Sequence, residues 1–200
     1  ETSAEALFAL ITQQNSKVIG EVKGAFVSTA EPAYLSLCLD NSSTFKVNAL
    51  MYQQGGTLST KQVESITMKL VTEQQLAELV QFAMTNIAAP EAWLSGYYSS
   101  LIQRNELFSY WREGELLAAG ECRLFDEYQT EYADLGVIVA QSVRGQGIAT
   151  QVLSYLKNNA LSRGLKAMCS TESANISDLD MFNNNILVTD NNSGTFLQFS

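Results

Sequence analysis

The stretch SVRGQGIAT, residues 142–150, joins the apolar run GVIVA to an amphipathic segment. Its residue types suit an anion. Backbone N–H groups at the start of a helix have no partner within the helix, and the helix dipole adds about half a unit of positive charge there. Gly145 and Gly147 let the backbone curl round a charged group with no Cβ in the way. Arg144 adds a guanidinium able to make a charge-assisted hydrogen bond. A plain strand-to-helix turn uses the same residues, so the loop alone leaves two readings open: an ordinary turn, or a cradle for phosphate.

Proton transfer needs another kind of residue, and the candidates on the central strand-like segments are three carboxylates. Glu121 lies among apolar neighbours in AAGECRL, an unusual place for a charge within a strand pattern. Asp134 opens DLGVIV, and Glu131 precedes it by three residues. Each can equally sit on a solvated face or pair with Arg112 or Arg123. Other chemistries are excluded. Histidine is absent, which removes Ser-His-Asp hydrolysis, His-paired cysteine catalysis and His-ligated metal sites. Cys38, Cys122 and Cys169 are far apart, lack metal-ligand or redox-pair spacing, and lie in apolar runs, so buried free thiols are expected. The formal net charge of -9 argues against a nucleic-acid surface, which needs clustered Lys and Arg. No apolar run reaches the ~18 residues of a membrane span. ETSAEALFALITQQ at the start shows no basic stretch ahead of an apolar one, so the expected location is cytoplasmic.

The elements that position these residues can be read from periodicity. Residues 1–62 predict a strand-rich extension: a short helix around Glu5–Gln14, then strands in KVIGEVKGAFV, AYLSLCLD and FKVNALMY, separated by turn signals at Glu31-Pro32, DNSS and Gly55-Gly56. No chemical constellation stands out in it. Residues 63–200 predict a second unit. VESITMKLV reads as a strand, and Thr72 with Gln75 forms a capping box for a helix carrying Leu76, Leu79, Val80 and Ala83. A second helix follows Pro90 and carries Trp93, Leu94, Tyr97 and Leu101. Two strands then turn at Glu113-Gly114, and YADLGVIVA makes a third. The helix after the glycine loop presents Ile148, Val152, Tyr155 and Leu156 and stops at Gly164, before LKAMCST returns as a strand. The order predicts an α/β (α+β) fold with a mixed sheet flanked by helices.

With those elements around it, Arg144-x-x-Gly147-x-Ala149 after GVIVAQSV resembles the acyl-CoA motif of the GNAT superfamily of N-acetyltransferases. That motif reads Gln/Arg-x-x-Gly-x-Gly/Ala and is usually entered from Val-x-Pro. Here Val139-Ala140-Gln141 stands in that place, without the proline. A dinucleotide fold matches less well, because it needs a third glycine where Thr150 stands. The resemblance covers the chain from about residue 64 onward and implies a mostly antiparallel central sheet, with acetyl-CoA as co-substrate and no metal. It implies that amides from Arg144 through Gly145, Gln146, Gly147, Ile148 and Ala149 hold the pyrophosphate. It also implies that Val137, Ile138 and Val139 splay from the neighbouring strand, where their backbone pairs with the pantetheine arm and polarises the thioester carbonyl.

In NISDLDMFNNNILV, Asn175 falls at the family's cofactor-contacting Asn, and Phe182 falls where a tyrosine general acid is usual. Phe182 cannot protonate a departing thiolate, so this stretch departs from the pattern. The implied reaction is direct attack of a primary amine, in a small molecule or a peptide, on the thioester. Asp134 and Glu121, ahead of Glu131, are the candidate bases. Trp93, Tyr97 and Tyr98 are candidate walls of the acceptor pocket, though aromatic residues at helical spacing also serve as core. A non-catalytic acyl-CoA-binding module with the same fold is the alternative. Residues 1–62 are expected either to form a homodimer contact or to shape the acceptor cleft.

Overall fold

The computed structural model describes residues 25–28, 32–53, 66–87, 89–124, 130–172 and 195–199. The strands are β1 (Ala25–Ser28), β2 (Phe45–Gln53), β3 (Lys69–Leu70), β4 (Leu107–Arg112), β5 (Glu115–Leu124), β6 (Tyr132–Val139), β7 (Lys166–Glu172) and β8 (Thr195–Phe199). The helices are α1 (Pro32–Asn41), α2 (Leu76–Ile87), α3 (Glu91–Gln103) and α4 (Ile148–Ser162). All the described strands join one sheet in the order β1-β8-β2-β7-β6-β5-β4-β3. The β6–β7 pair is parallel and the others are antiparallel. A parallel pair needs a crossover, and α4 is that crossover. The fold is the mixed α/β arrangement that the residue patterns predict, and it is mostly antiparallel, as the resemblance implies. Among the described residues, no helix is long and apolar enough to cross a membrane.

Local chemistry explains the elements around the site. Glu113 (φ 53°) and Gly114 (φ 82°) both take left-handed backbone, as a tight hairpin between β4 and β5 requires. Gln75 Oε1 accepts from the Thr72 backbone N–H at 3.0 Å, one arm of the capping box, at the start of a 3-10 turn that leads into α2. α4 ends as expected at Gly164 (φ 74°): Leu165 N–H donates to Ala160 C=O and Gly164 N–H to Leu161 C=O, the paired bonds of a glycine helix stop.

Side-chain alternation gives the sheet two working faces. On one, Phe108, Cys122 and Leu135 pack with Val152, Leu153 and Leu156 of α4. On the other, Leu107 and Ala119 pack with Leu79 and Ala83 of α2 and Leu94 and Leu101 of α3. Gly120 lets α4 approach closely, since a Cβ there would lie 2.9 Å from Val152 and Leu156.

Two expectations are corrected. AYLSLCLD is the helix α1, not a strand. Pro32 occupies its first position, where a fixed φ and a missing N–H suit a helix, and Tyr34, Leu35 and Cys38 share one face against Val27. A short apolar run does not choose between the two periods on its own. The strand read in VESITMKLV is shorter within the described residues: only Lys69 and Leu70 pair, with Ser109 and Phe108. The helix expected around Glu5–Gln14, the start of KVIGEVKGAFV, Gly55-Gly56 and residues 173–194 lie outside the described residues.

Candidate active site

At the loop end, Gly145 (φ 77°) and Gly147 (φ 78°) take the left-handed backbone that disfavours other residues. A Cβ would meet nothing within 4 Å at either, so conformation rather than crowding requires glycine. Gly147 is the N-cap of α4 and no side chain caps that helix; its first turn holds no acidic residue. Gln151 N–H returns to Gly147 C=O, which leaves the amides of Gly147, Ile148, Ala149 and Thr150 as the unpaired N–H groups of the helix start. Gln146 is exposed, whereas Ile148 is buried beneath the loop. This arrangement fits a phosphate-bearing ligand such as the pyrophosphate of CoA: open space, outward amides and a positive dipole end.

Arg144 does something its position alone did not disclose. Its Nε donates to Val139 C=O at 3.2 Å and its Nη2 to Asn86 C=O at 3.0 Å. Gln141 N–H donates to Asn86 Oδ1 at 3.0 Å. The guanidinium thus ties the end of β6 and the loop to the last turn of α2, where a cation also complements the dipole. Nothing in the sequence pattern singled out Asn86.

Between loop and cleft the sheet opens. β6 pairs with β7 only at Tyr132–Lys166, Ala133–Ala167 and Asp134–Met168, although both strands continue. On its other edge β6 stays paired to β5 through Val139. Ala140 N–H donates to Leu117 C=O, so alternation turns the peptide groups of Val137 and Val139 away from β5 and into the splay. Ile138 turns its peptide groups toward β5 and offers its side chain to the cleft.

The cleft, about 290 Å³, lies on the α2/α3 face of the sheet beside the splay. Trp93, Tyr97 and Tyr98 of α3 form one wall, Ala119 and Ile138 the floor, and Ser170 of β7 the far side of the opening. Trp93 and Tyr97 stack in parallel, 4.9 Å apart and 11° between planes. Glu121 projects into this space. Its partner across the ladder is Gly136, and a Cβ there would lie 2.7 Å from Glu121 Cγ and Oε1. Gly136 therefore makes the room that Glu121 occupies. A glycine amid β-branched residues in LGVIV is the signal that could have indicated this close approach.

Tyr97 donates its hydroxyl hydrogen to Glu121 Oε2 at 2.7 Å, and Arg123 Nε lies 3.7 Å from Oε1. Burial pushes the Glu121 carboxyl up, against the pull of Tyr97 and Arg123. Burial also pushes the Tyr97 and Tyr98 hydroxyls far up, so both stay protonated. Asp134 shares the Glu121 face but does not line the cleft; it accepts from Arg123 Nη2 and holds that guanidinium beside Glu121. Burial raises the Asp134 carboxyl, and Arg123 opposes the rise. Glu131 is exposed, pairs with Lys166 and stands apart from the cleft. Cys38, Cys122 and Cys169 are buried, and none is in a disulfide. The Cys122 thiol is pushed up to about 11 by burial, far from a thiolate at neutral pH. Asn175 and Phe182 lie outside the described residues.

Comparison with known proteins agrees with this geometry. Residues 74–184 match the model of the acetyltransferase (GNAT) family, and residues 2–55 match that of an acetyltransferase (GNAT) domain. None of the curated proteins matches significantly. Among solved structures, a GNAT-family acetyltransferase from Colwellia psychrerythraea is 56% identical; the match covers 98% of this chain and 71% of that one, with a TM-score of 0.81. A putative GNAT acetyltransferase from Novosphingobium aromaticivorans is 17% identical, with 80% of this chain and 67% of that one covered, at a TM-score of 0.58. The putative acetyltransferase yncA of Salmonella typhimurium, solved with acetyl-CoA, is 12% identical over 68% of this chain and 94% of its own, at a TM-score of 0.51, and shares the fold. An uncapped helix start, a splayed parallel pair and a carboxylate cleft on one sheet, with a family match over residues 74–184 and a relative at 56% identity, make this chain a member of the GNAT family and an acyltransferase.

Proposed function

We propose that the protein transfers an acetyl group from acetyl-CoA to a primary amine by direct attack. The observation that carries this reading is the β6–β7 splay, which joins the uncapped start of α4 at one end to the Glu121 cleft at the other. The relative in fold solved with acetyl-CoA supports the choice of co-substrate. When bound, acetyl-CoA supplies an activated acetyl thioester. The Arg144 amide donates to Gln141 C=O, so the amides of Gly147, Ile148, Ala149 and Thr150 would hold its phosphates, and the peptide groups of Val137 and Val139 would align its arm and polarise the carbonyl. Glu121 takes the proton from the incoming amine, directly or through one water, and its raised affinity for a proton suits that task. Tyr97 orients the carboxylate, and Asp134 acts through Arg123 as a positioning residue. No cysteine is among the cleft-lining residues described, which favours direct attack over a covalent enzyme intermediate.

The test begins with stability. Acetyl-CoA should raise the melting temperature, and Gly147→Glu should abolish that rise by setting a side chain and a negative charge on the phosphate amides. Thiol release in the presence of primary amines should then follow. Unchanged melting at saturating acetyl-CoA would refute the cofactor assignment.

A further inference from the structure

The lining of the cleft speaks to which amine enters it, given the N-acetyltransferase reading above. Among the described lining residues Glu121 is the one that carries a charge; the wall and floor are aromatic and aliphatic, from Trp93, Tyr97, Tyr98, Ala119 and Ile138. Arg123, the cation paired with Glu121, is held between Asp134 and Glu121 and does not line the cleft. Trp93 is 56% exposed although it stacks flat on Tyr97, so a large indole face is kept where an incoming group can meet it. A volume of about 290 Å³ stands at the lower end of small-ligand sites.

We propose that the acceptor is a small monocationic amine with a flat aromatic arm, an arylalkylamine carrying neither a carboxylate nor a second positive charge. One cationic head meets one carboxylate, at Glu121. The arm meets the Trp93–Tyr97 wall, where ring-on-ring contact adds to the burial of apolar surface. An amino acid would bring its carboxylate beside Glu121 with no cation among the described lining residues to receive it. A polyamine would carry ammonium groups past Glu121 into an aromatic and aliphatic space where no second carboxylate stands among the described lining residues. The chemistry is balanced: the ammonium gives one proton to Glu121, its nitrogen bonds the acetyl carbon, the carbon–sulfur bond breaks, and the second nitrogen proton passes, directly or through water, to the departing thiolate to leave the amide and the CoA thiol.

A matched series tests the class: phenethylamine, n-hexylamine, phenylalanine and spermidine, each assayed for acetyl-CoA-dependent thiol release by the whole chain. Phenethylamine should show a kcat/KM about tenfold above n-hexylamine and more than about a hundredfold above phenylalanine and spermidine. Trp93→Ala should lower kcat/KM for phenethylamine, mainly through KM, by more than it lowers kcat/KM for n-hexylamine, so that the preference collapses, whereas general loosening of α3 would lower both equally and keep the ratio. Trp93→Phe should restore most of the preference. Equal or better turnover of n-hexylamine, phenylalanine or spermidine overturns this proposal alone. Absence of thiol release with every amine, while acetyl-CoA still raises the melting temperature, overturns the N-acetyltransferase reading together with it.

Discussion

Glu121 is a carboxylate held in an environment that disfavours its charge, and two groups keep it there in working order. Tyr97 gives it a hydrogen bond, and Arg123, itself fixed by Asp134, gives it a nearby positive charge. Removing the base should cost activity more than structure: Glu121→Gln is expected to lower kcat about a hundredfold with acetyl-CoA stabilisation intact. Because burial raises the carboxyl, kcat/KM should climb with pH through a step above the ordinary Glu value of about 4.3, and the variant should lose that step. Stability responds with the opposite sign. A raised folded-state value means the folded protein holds the proton more tightly, so the wild type loses stability as pH rises from the unfolded value through the folded one. The melting temperature of Glu121→Gln should therefore gain on the wild type from pH 4 to pH 8; a constant difference across that range would contradict the burial argument. Gly136→Ala attacks the same carboxylate from beneath. Its Cβ would occupy the space of Glu121 Cγ, so the side chain must turn away from Tyr97. Activity should drop at least about tenfold with little change in melting temperature.

The loop between β6 and α4 and the two glycines in it were legible in the sequence, because helix starts, left-handed glycines and their stops are set by residues within one or two turns. What Arg144 does was not legible. Its partners are carbonyls 5 and 58 residues away, and a residue pattern carries no record of them. This distinction gives a prediction for the element. If Arg144 served mainly as a charge for phosphate, Arg144→Lys would preserve acetyl-CoA binding. As a two-pronged tie between Val139 and Asn86, it needs the planar fork that lysine lacks. Both Arg144→Ala and Arg144→Lys should then lose about 1 kcal/mol of stability and weaken acetyl-CoA to a similar extent, read by titration calorimetry. Full retention of affinity in the lysine variant would restore the phosphate role.

At the scale of the molecule, the site is assembled by pairings that no local pattern encodes. Glu121 meets Gly136 across a ladder and Tyr97 across the layer between sheet and helix. The strand order has the same origin. FKVNALMY was readable as a strand, yet its seat between β7 and β8 was not, because alternation fixes a strand's faces and leaves its neighbours open. That seat has an energetic consequence. Tyr52 is 2% exposed and belongs to the same buried cluster as Leu135, Cys169 and Leu156, so β2 is part of the core that carries the β6–α4 junction. Tyr52→Ala should cost about 3 kcal/mol through lost burial and a residual cavity. The loss should fall on the whole sheet: unfolding of the variant, and of the wild type, should remain one transition whether followed by backbone dichroism, by Trp93 and Trp111 fluorescence, or by loss of acetyl-CoA binding. A β2 that served only as an appendage would melt first and leave the acetyl-CoA site intact, and two separated transitions in the variant would establish that arrangement instead.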